Sequence, residues 1–249
     1  MNTATLDVLA VGPHPDDVEL FAGGTVAHVV QLGYRVGLLD LTRGELATRG
    51  SAEIRAHEAA AAAQVLGVTR DQLDLPDGGL RADDQRQIQA LVAYLRLHRP
   101  ELVLCPWGNE RHPDHESAAA LVQRAVFFAG VGGHITHGLE RHLVREVLHY
   151  PMRVLDAPSF VVDITHVAEL KRRAILCHAS QVTPAPGAPP TLVGSAQSLD
   201  ALEARDRFYG AQIGAAHGEP FIVRSTLHLT DPLAHLRGRP GSAFFFEPR

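Results

Sequence analysis

The chain has 249 residues, 45% hydrophobic and 20% charged, which is ordinary globular composition and enough to bury a large core. Its formal net charge of −5 argues against a basic surface for nucleic acid or anionic membrane, and no apolar run approaches membrane-spanning length. Only two cysteines occur, Cys105 and Cys177, and no basic-then-apolar leader opens the chain, so the expectation is a cytoplasmic protein without disulfides.

Leu6–Gly12 is a short apolar run that ends at the turn Pro13-His14-Pro15-Asp16-Asp17. Val18–Leu32 has helical spacing and stops at Gly33, a helix-terminating glycine. Val36–Leu41 is a second apolar strand, followed by Thr42-Arg43-Gly44-Glu45. An alanine-rich helix over Glu53–Leu66 closes at Gly67, and Asp83–His98 is amphipathic. Leu102–Pro106 is a further strand and leads through Arg111-His112-Pro113-Asp114-His115 to a helix over Ser117–Ala129. Glu146–Tyr150 and Phe160–Asp163 read as strands, Val167–Ser180 and Leu199–Ile213 as helices. Cys105 follows an apolar run and Cys177 lies in a helical pattern, so both read as small buried hydrophobes. Strands alternating with helices imply an α/β fold: one Rossmann-like domain over 1–249, its mostly parallel sheet covered by helices on both faces. The Pro/Gly-rich stretch Thr183–Gly194 is too short for a linker and suits a loop near a site. The tail 225–249 is hard to read; its AFFFE segment fits an edge strand or a subunit contact.

Three polar clusters follow apolar strands, and open parallel sheets bind ligands at that edge. Adjacent Asp16 and Asp17 repel each other unless a cation lies near. His14 and Asp17 sit three apart on a strand-to-helix turn, and His115 can add a third ligand from another loop. Two nitrogens and one oxygen leave coordination places open, as a catalytic zinc requires; His/His/Asp also suits ferrous iron. Asp16 would then act as general base, His112 would stabilise an oxyanion or protonate a leaving amine, and Asp114 would orient His112. Arg43 and Arg111 each lie beside a cluster and suit an acidic substrate group. Their plainer reading is a solvated arginine, or an ion pair to Glu45 or Glu110.

Plainer readings exist for the other residues too. Asp17 alone fits a helix N-cap, and His115 alone fits a surface histidine. Arg55 and Glu58, at i,i+3 spacing, read as a surface pair. His178 is either a helix-end histidine near the site or a capping one. A dinucleotide loop is disfavoured, because prolines stand where G-x-G-x-x-G needs glycines. A non-catalytic sugar- or nucleotide-binding module at the same sheet edge is the rival from another class.

The paired motifs His14–Asp17 (HPDD) and His112–His115 (HPDH) resemble those of the PIG-L/LmbE-like metal-dependent N-deacetylases. LDLTRGELATRG, IRAHEA, LPDGG, ERHPDH, HASQ and YGAQIG…GEPF look like the branch that deacetylates N-acetylglucosaminyl malate in bacillithiol biosynthesis. The resemblance runs from about Leu6 to Val223. It implies zinc on His14, Asp17 and His115, Asp16 as base and His112 at the oxyanion or leaving group, with Asp114 behind it. It also implies Arg43, Glu45 and Arg111 on the substrate side, a small N-acetyl amino sugar bearing a carboxylate as substrate, and a homo-oligomer, hexameric in relatives. Gly12 departs from the alanine of many members.

Overall fold

Five segments lie side by side as one parallel sheet in the computed structural model, which describes residues 5–226 without 137, 155, 184, 185 and 196, together with 228, 230, 231 and 233. They are β1 (Val8–Gly12), β2 (Val36–Thr42), β3 (Thr69–Leu75), β4 (Leu102–Pro106) and β5 (Glu146–Tyr150), in the order β3-β2-β1-β4-β5. Val8 stands opposite both Val36 and Leu102, so β1 is central. Parallel neighbours require crossovers, and helices supply them. After β1 and β2 come α1 (Asp17–Gln31) and α2 (Ala52–Leu66). After β3 and β4 come α3 (Gln85–His98) and α4 (Pro113–Gly130).

Alternation along β1 divides the core between the two faces. Val8 and Ala10 pack with Phe21 and Val26 of α1 and Leu66 of α2, whereas Leu9 and Val11 pack with Leu91 and Leu95 of α3 and Leu121 of α4. The chain steps outward from β1 to β3, then returns to the other side of β1 to form β4. The turns after β1 and β4 therefore diverge, and a crevice opens between them at the C-terminal sheet edge.

The expected strands and helices are present, with differences that have physical reasons. β3 was not read from the sequence, because Thr-Arg-Asp-Gln-Leu-Asp-Leu lies at the sheet edge and carries little apolar signal. α4 starts at Pro113 rather than Ser117: proline suits a first helical position, and the His112 side chain caps the helix by accepting from the Asp114 N–H. The helix expected over Val167–Ser180 opens with a 3-10 turn, Thr165–Val167, and divides into α5 (Ala168–Cys177) and α6 (Ala179–Val182) at His178, whose φ, ψ of −81°, 51° are not helical. Cys177 is half-buried rather than buried.

The remaining elements are β6 (Phe160–Asp163), α7 (Ser198–Gln212) and β7 (Gly218–Phe221). β6 and β7 pair antiparallel, apart from the main sheet, and β7 went unread because Pro220 lies inside it. Reciprocal bonds between His149 and Ile222 (2.9 and 2.8 Å) attach the end of β7 to β5. Among the described residues no helix is long and apolar enough to cross a membrane. The AFFFE segment lies outside the described residues.

Candidate metal centre

The first turn is held by its neighbour strand. The Pro13 carbonyl accepts from the Thr42 N–H (3.1 Å) and hydroxyl (3.0 Å). Asp16 then adopts φ 111°, a positive-φ conformation that costs a non-glycine residue roughly 1–3 kcal/mol. That strained backbone sends adjacent carboxylates to different partners. Asp17 is the first residue of α1, so the N-cap is Asp16, and neither side chain caps the helix. Asp17 Oδ2 instead accepts from the His14 N–H at 3.1 Å and lies 3.2 Å from His14 Nδ1. Asp16 Oδ1 lies 3.4 Å from the Arg55 guanidinium.

The turn after β4 supplies the rest. His115 Nε2 lies 3.4 Å from the same Asp17 oxygen. His112 stacks on His115 with ring centroids 4.5 Å apart and meets His14 edge-on at 5.0 Å. Ligand atoms of His14, Asp17 and His115 all lie within 4.8 Å of one another. Tetrahedral bonds of about 2.0–2.1 Å place neighbouring donors about 3.3 Å apart. The 3.2 and 3.4 Å separations to Asp17 meet that spacing, and the N,N,O donor set suits a zinc or ferrous ion.

Buried charge sets the electrostatics. Burial disfavours a charged His14, but hydrogen bonds to Asp114, Asp17 and Asp77 outweigh it and hold its pKa well above the usual range. Burial also opposes ionisation of Asp17, but the His115 and His14 charges prevail and hold it well below the carboxylate range. Asp16 is pushed up to about 6 by burial, against the pull of Arg55 and, more weakly, of His178 and His14. His112 is lowered by burial and by the His115 and His14 charges. Because the Asp114 N–H donates to His112 Nδ1 at 3.2 Å, a neutral His112 carries its proton on Nε2.

Several expected contacts differ. The Asp114 carboxylate does not orient His112; it accepts from the Gly78 N–H (2.7 Å) and Leu80 N–H (3.2 Å) and lies 3.4 Å from His14 Nε2. Arg55 is no surface residue. It is buried, donates to the Pro15 and Gly44 carbonyls, and faces Asp16, while Glu58 accepts from the Ser180 N–H and hydroxyl. Arg43 lies 3.5 Å from Glu53 and 3.9 Å from Asp74, so it is not gathered with the histidines. Exposed Glu45 accepts from the Asp77 N–H at 2.9 Å. Arg111 is exposed, and its N–H donates to Glu110.

The sequence reading missed three residues near the site. Asp77, from the loop after β3, meets His14 Nε2 at 3.1 Å; the quoted LPDGG was its one signal. Arg153, half-buried, has its N–H bound by Glu110 at 2.7 Å, and burial and the nearby Arg111 lower its pKa. Glu19 is fully buried among Arg70, which also pairs with Asp40, and His178, 3.1 Å away. That ion network lies at the start of α1 and puts the His178 side chain behind the site; His178 stands between α5 and α6 as their cap residue, but its side chain does not cap α6.

Residues 9–126 match the PIG-L family, described as GlcNAc-PI de-N-acetylase. The diacetylchitobiose deacetylase of Thermococcus kodakarensis is 35% identical over 190 residues, covering 70% of this chain and 69% of that protein. The chain belongs to the PIG-L family. It is an enzyme of this N-deacetylase family, and its relatives include differently named proteins. A 4-oxalmesaconate hydratase of Pseudomonas putida is 28% identical over 73% of this chain and 76% of its own. A conserved protein of Thermus thermophilus superposes with a TM-score of 0.82 at 37% identity, covering 91% of this chain and 98% of that one. The N,N'-diacetylchitobiose deacetylase of Pyrococcus horikoshii, crystallised with an inhibitor, has a TM-score of 0.76 at 28% identity, covering 92% and 88%.

Proposed function

We propose that this PIG-L protein is a zinc-dependent hydrolase that removes the N-acetyl group of a small N-acetylglucosamine conjugate, with N-acetylglucosaminyl malate as the substrate. One observation carries the chemistry. His14 and Asp17 from the loop after β1 converge with His115 from the loop after β4, all three ligand atoms within 4.8 Å, beside a second buried carboxylate. The T. kodakarensis relative, a diacetylchitobiose deacetylase, and a Rhodococcus opacus relative 28% identical over 72% of this chain, a 1D-myo-inositol 2-acetamido-2-deoxy-alpha-D-glucopyranoside deacetylase, support an N-acetylglucosamine unit.

A divalent ion on His14, Asp17 and His115 would supply Lewis acidity, making water acidic near neutral pH and polarising the amide carbonyl. Asp16, buried beside those ligands, takes the proton of the attacking water as the carbon–oxygen bond forms. His112 is exposed on the crevice side and presents Nε2–H to the oxygen on which negative charge builds. As the carbon–nitrogen bond breaks, the proton held by Asp16 passes to the departing amine. The products are acetate and a free amino sugar. Arg55, bonded to two carbonyls and facing Asp16, fixes that carboxylate without spending it on a bidentate pair.

Exposed Arg111 and half-buried Arg153 support a carboxylate on the substrate; Arg43, between Glu53 and Asp74, does not. The test is acetate release by chelated and by zinc- or iron-reconstituted protein from N-acetylglucosaminyl malate, diacetylchitobiose and an inositol conjugate of N-acetylglucosamine. The proposal expects metal-dependent release, fastest from the malate conjugate, with that preference reduced in Arg111→Ala and Arg153→Ala. Equal turnover of all three would overturn the malate assignment, and no release from any would overturn the deacetylase.

A further inference from the structure

Asp77 belongs to the loop after β3, yet its carboxylate reaches two strands across the sheet edge. Asp77 Oδ1 lies 3.1 Å from His14 Nε2, and Asp77 Oδ2 accepts from the Leu46 N–H at 2.8 Å. Its own N–H donates to Glu45 at 2.9 Å. Asp114 binds the N–H groups of Gly78 and Leu80, so the 77–80 segment is stapled between the loop after β2 and the start of α4. The Asp77 side chain is only 8% exposed. A carboxylate held at both oxygens and at its backbone cannot rotate away from the imidazole.

We propose that Asp77 is a positioning residue of the metal centre: closer to His14 Nε2 than the Asp114 carboxylate at 3.4 Å, it accepts the Nε2 proton and so selects Nδ1, the nitrogen 3.2 Å from Asp17, as the one that faces the ion. The inference rests on reading His14, Asp17 and His115 as ligands. An imidazole that ligates through one nitrogen donates its other N–H to an acceptor, which fixes the tautomer and raises ligand basicity. Glu45 acts behind Asp77 as its backbone anchor rather than as a substrate contact. The loop that carries Arg43 and Glu45 thereby communicates with the metal through one carboxylate.

Asparagine cannot replace Asp77. It has one acceptor oxygen, and the site demands two, one for His14 and one for the Leu46 N–H. Glutamine at position 45 still accepts from the Asp77 N–H, whereas alanine does not. Zinc dissociation constants from competition with a chromophoric chelator, with imidazole nitrogen spectra of the 15N-histidine zinc protein, test this. Asp77→Asn and Asp77→Ala are expected to weaken zinc about 10- to 100-fold and to mix the His14 tautomer. Glu45→Ala moves the constant the same way by less, and Glu45→Gln restores it. His115→Ala is the control, and thermal melts of the metal-free proteins identify any variant that has not folded.

Zinc constants within twofold of the parent in both Asp77 variants, with His115→Ala devoid of binding, would overturn this inference alone. Zinc bound equally by His115→Ala and the parent would overturn the ligand assignment, and this inference with it. An unfolded Asp77→Ala transfers the decision to Asp77→Asn, and an unfolded Asp77→Asn transfers it to Glu45→Ala against Glu45→Gln, where equal constants would refute the proposal.

Discussion

Replacing Asp16 by asparagine removes a proton acceptor and little else. The position has φ 111°, a conformation that asparagine tolerates better than most residues, so the turn survives where alanine would strain it. Arg55 loses its 3.4 Å contact with a charged oxygen but keeps the Gly44 and Pro15 carbonyls. Asp17, His14 and His115 contact one another and not Asp16, so the ligand set is intact. General-base assistance contributes about 10²- to 10⁴-fold in rate, which is about 3–5 kcal/mol of barrier at 1.36 kcal/mol per decade. Steady-state acetate release by Asp16→Asn should therefore fall by that factor, while zinc per chain, measured by elemental analysis, matches the parent. Parent-level turnover in the fully loaded variant would refute the base assignment. So would a loss of activity that merely tracks a loss of zinc, because Asp16 would then belong to the ligand set.

Lys171→Met should destabilise the protein strongly. Lys171 is 3% exposed and pairs with buried Asp206 and, at 2.8 Å, Glu219, so its removal leaves buried Glu219 with only the Gly24 and Thr25 N–H groups and Asp206 with only Arg205. Breaking such a buried pair costs about 3–5 kcal/mol, a melting temperature lower by roughly 6–20 °C for a chain of this size, read by calorimetry. Gly24→Ala sets two effects against each other. Alanine gains about 1 kcal/mol of helix propensity, but its Cβ would meet the fully buried Ile164 side chain at 2.6–3.0 Å. Overpacking at about 1–3 kcal/mol wins, so the urea midpoint should fall. Gly44→Ala combines φ +64° with a Cβ placed 2.0 Å from Arg55. It should displace that guanidinium from Asp16 and lower turnover with zinc retained, as activity and metal analysis together would reveal.

The central strands and their helices were legible because apolar runs bounded by glycine and proline leave few alternatives. Convergence of the clusters after β1 and β4 was legible too, since parallel topology brings strand ends to one edge. The edge strand β3 was not. β3 has its polar Arg70 neutralised by Asp40 and Glu19, partners remote in sequence, so no local pattern signals burial. Arg55 illustrates the same failure at the site. Its i,i+3 neighbour Glu58 suggested a surface pair, whereas two carbonyls from separate loops draw it inward. Asp77 escaped notice because an aspartate in a Pro-Asp-Gly-Gly turn ordinarily makes the turn and nothing more. For Asp114, adjacency to His112 in sequence suggested that their side chains meet. The helix start instead aims its carboxylate at the Gly78 and Leu80 amides and at His14.

Everything chemical depends on one cation shared by two loops. The most direct measurement is zinc stoichiometry after dialysis against trace metal, in the parent and in His14→Ala, Asp17→Ala and His115→Ala. One zinc per chain in the parent, with loss in each variant whichever loop is altered, is the expected result. A full equivalent of zinc retained by His115→Ala would contradict the His14–Asp17–His115 site, because the ion would then be held without His115.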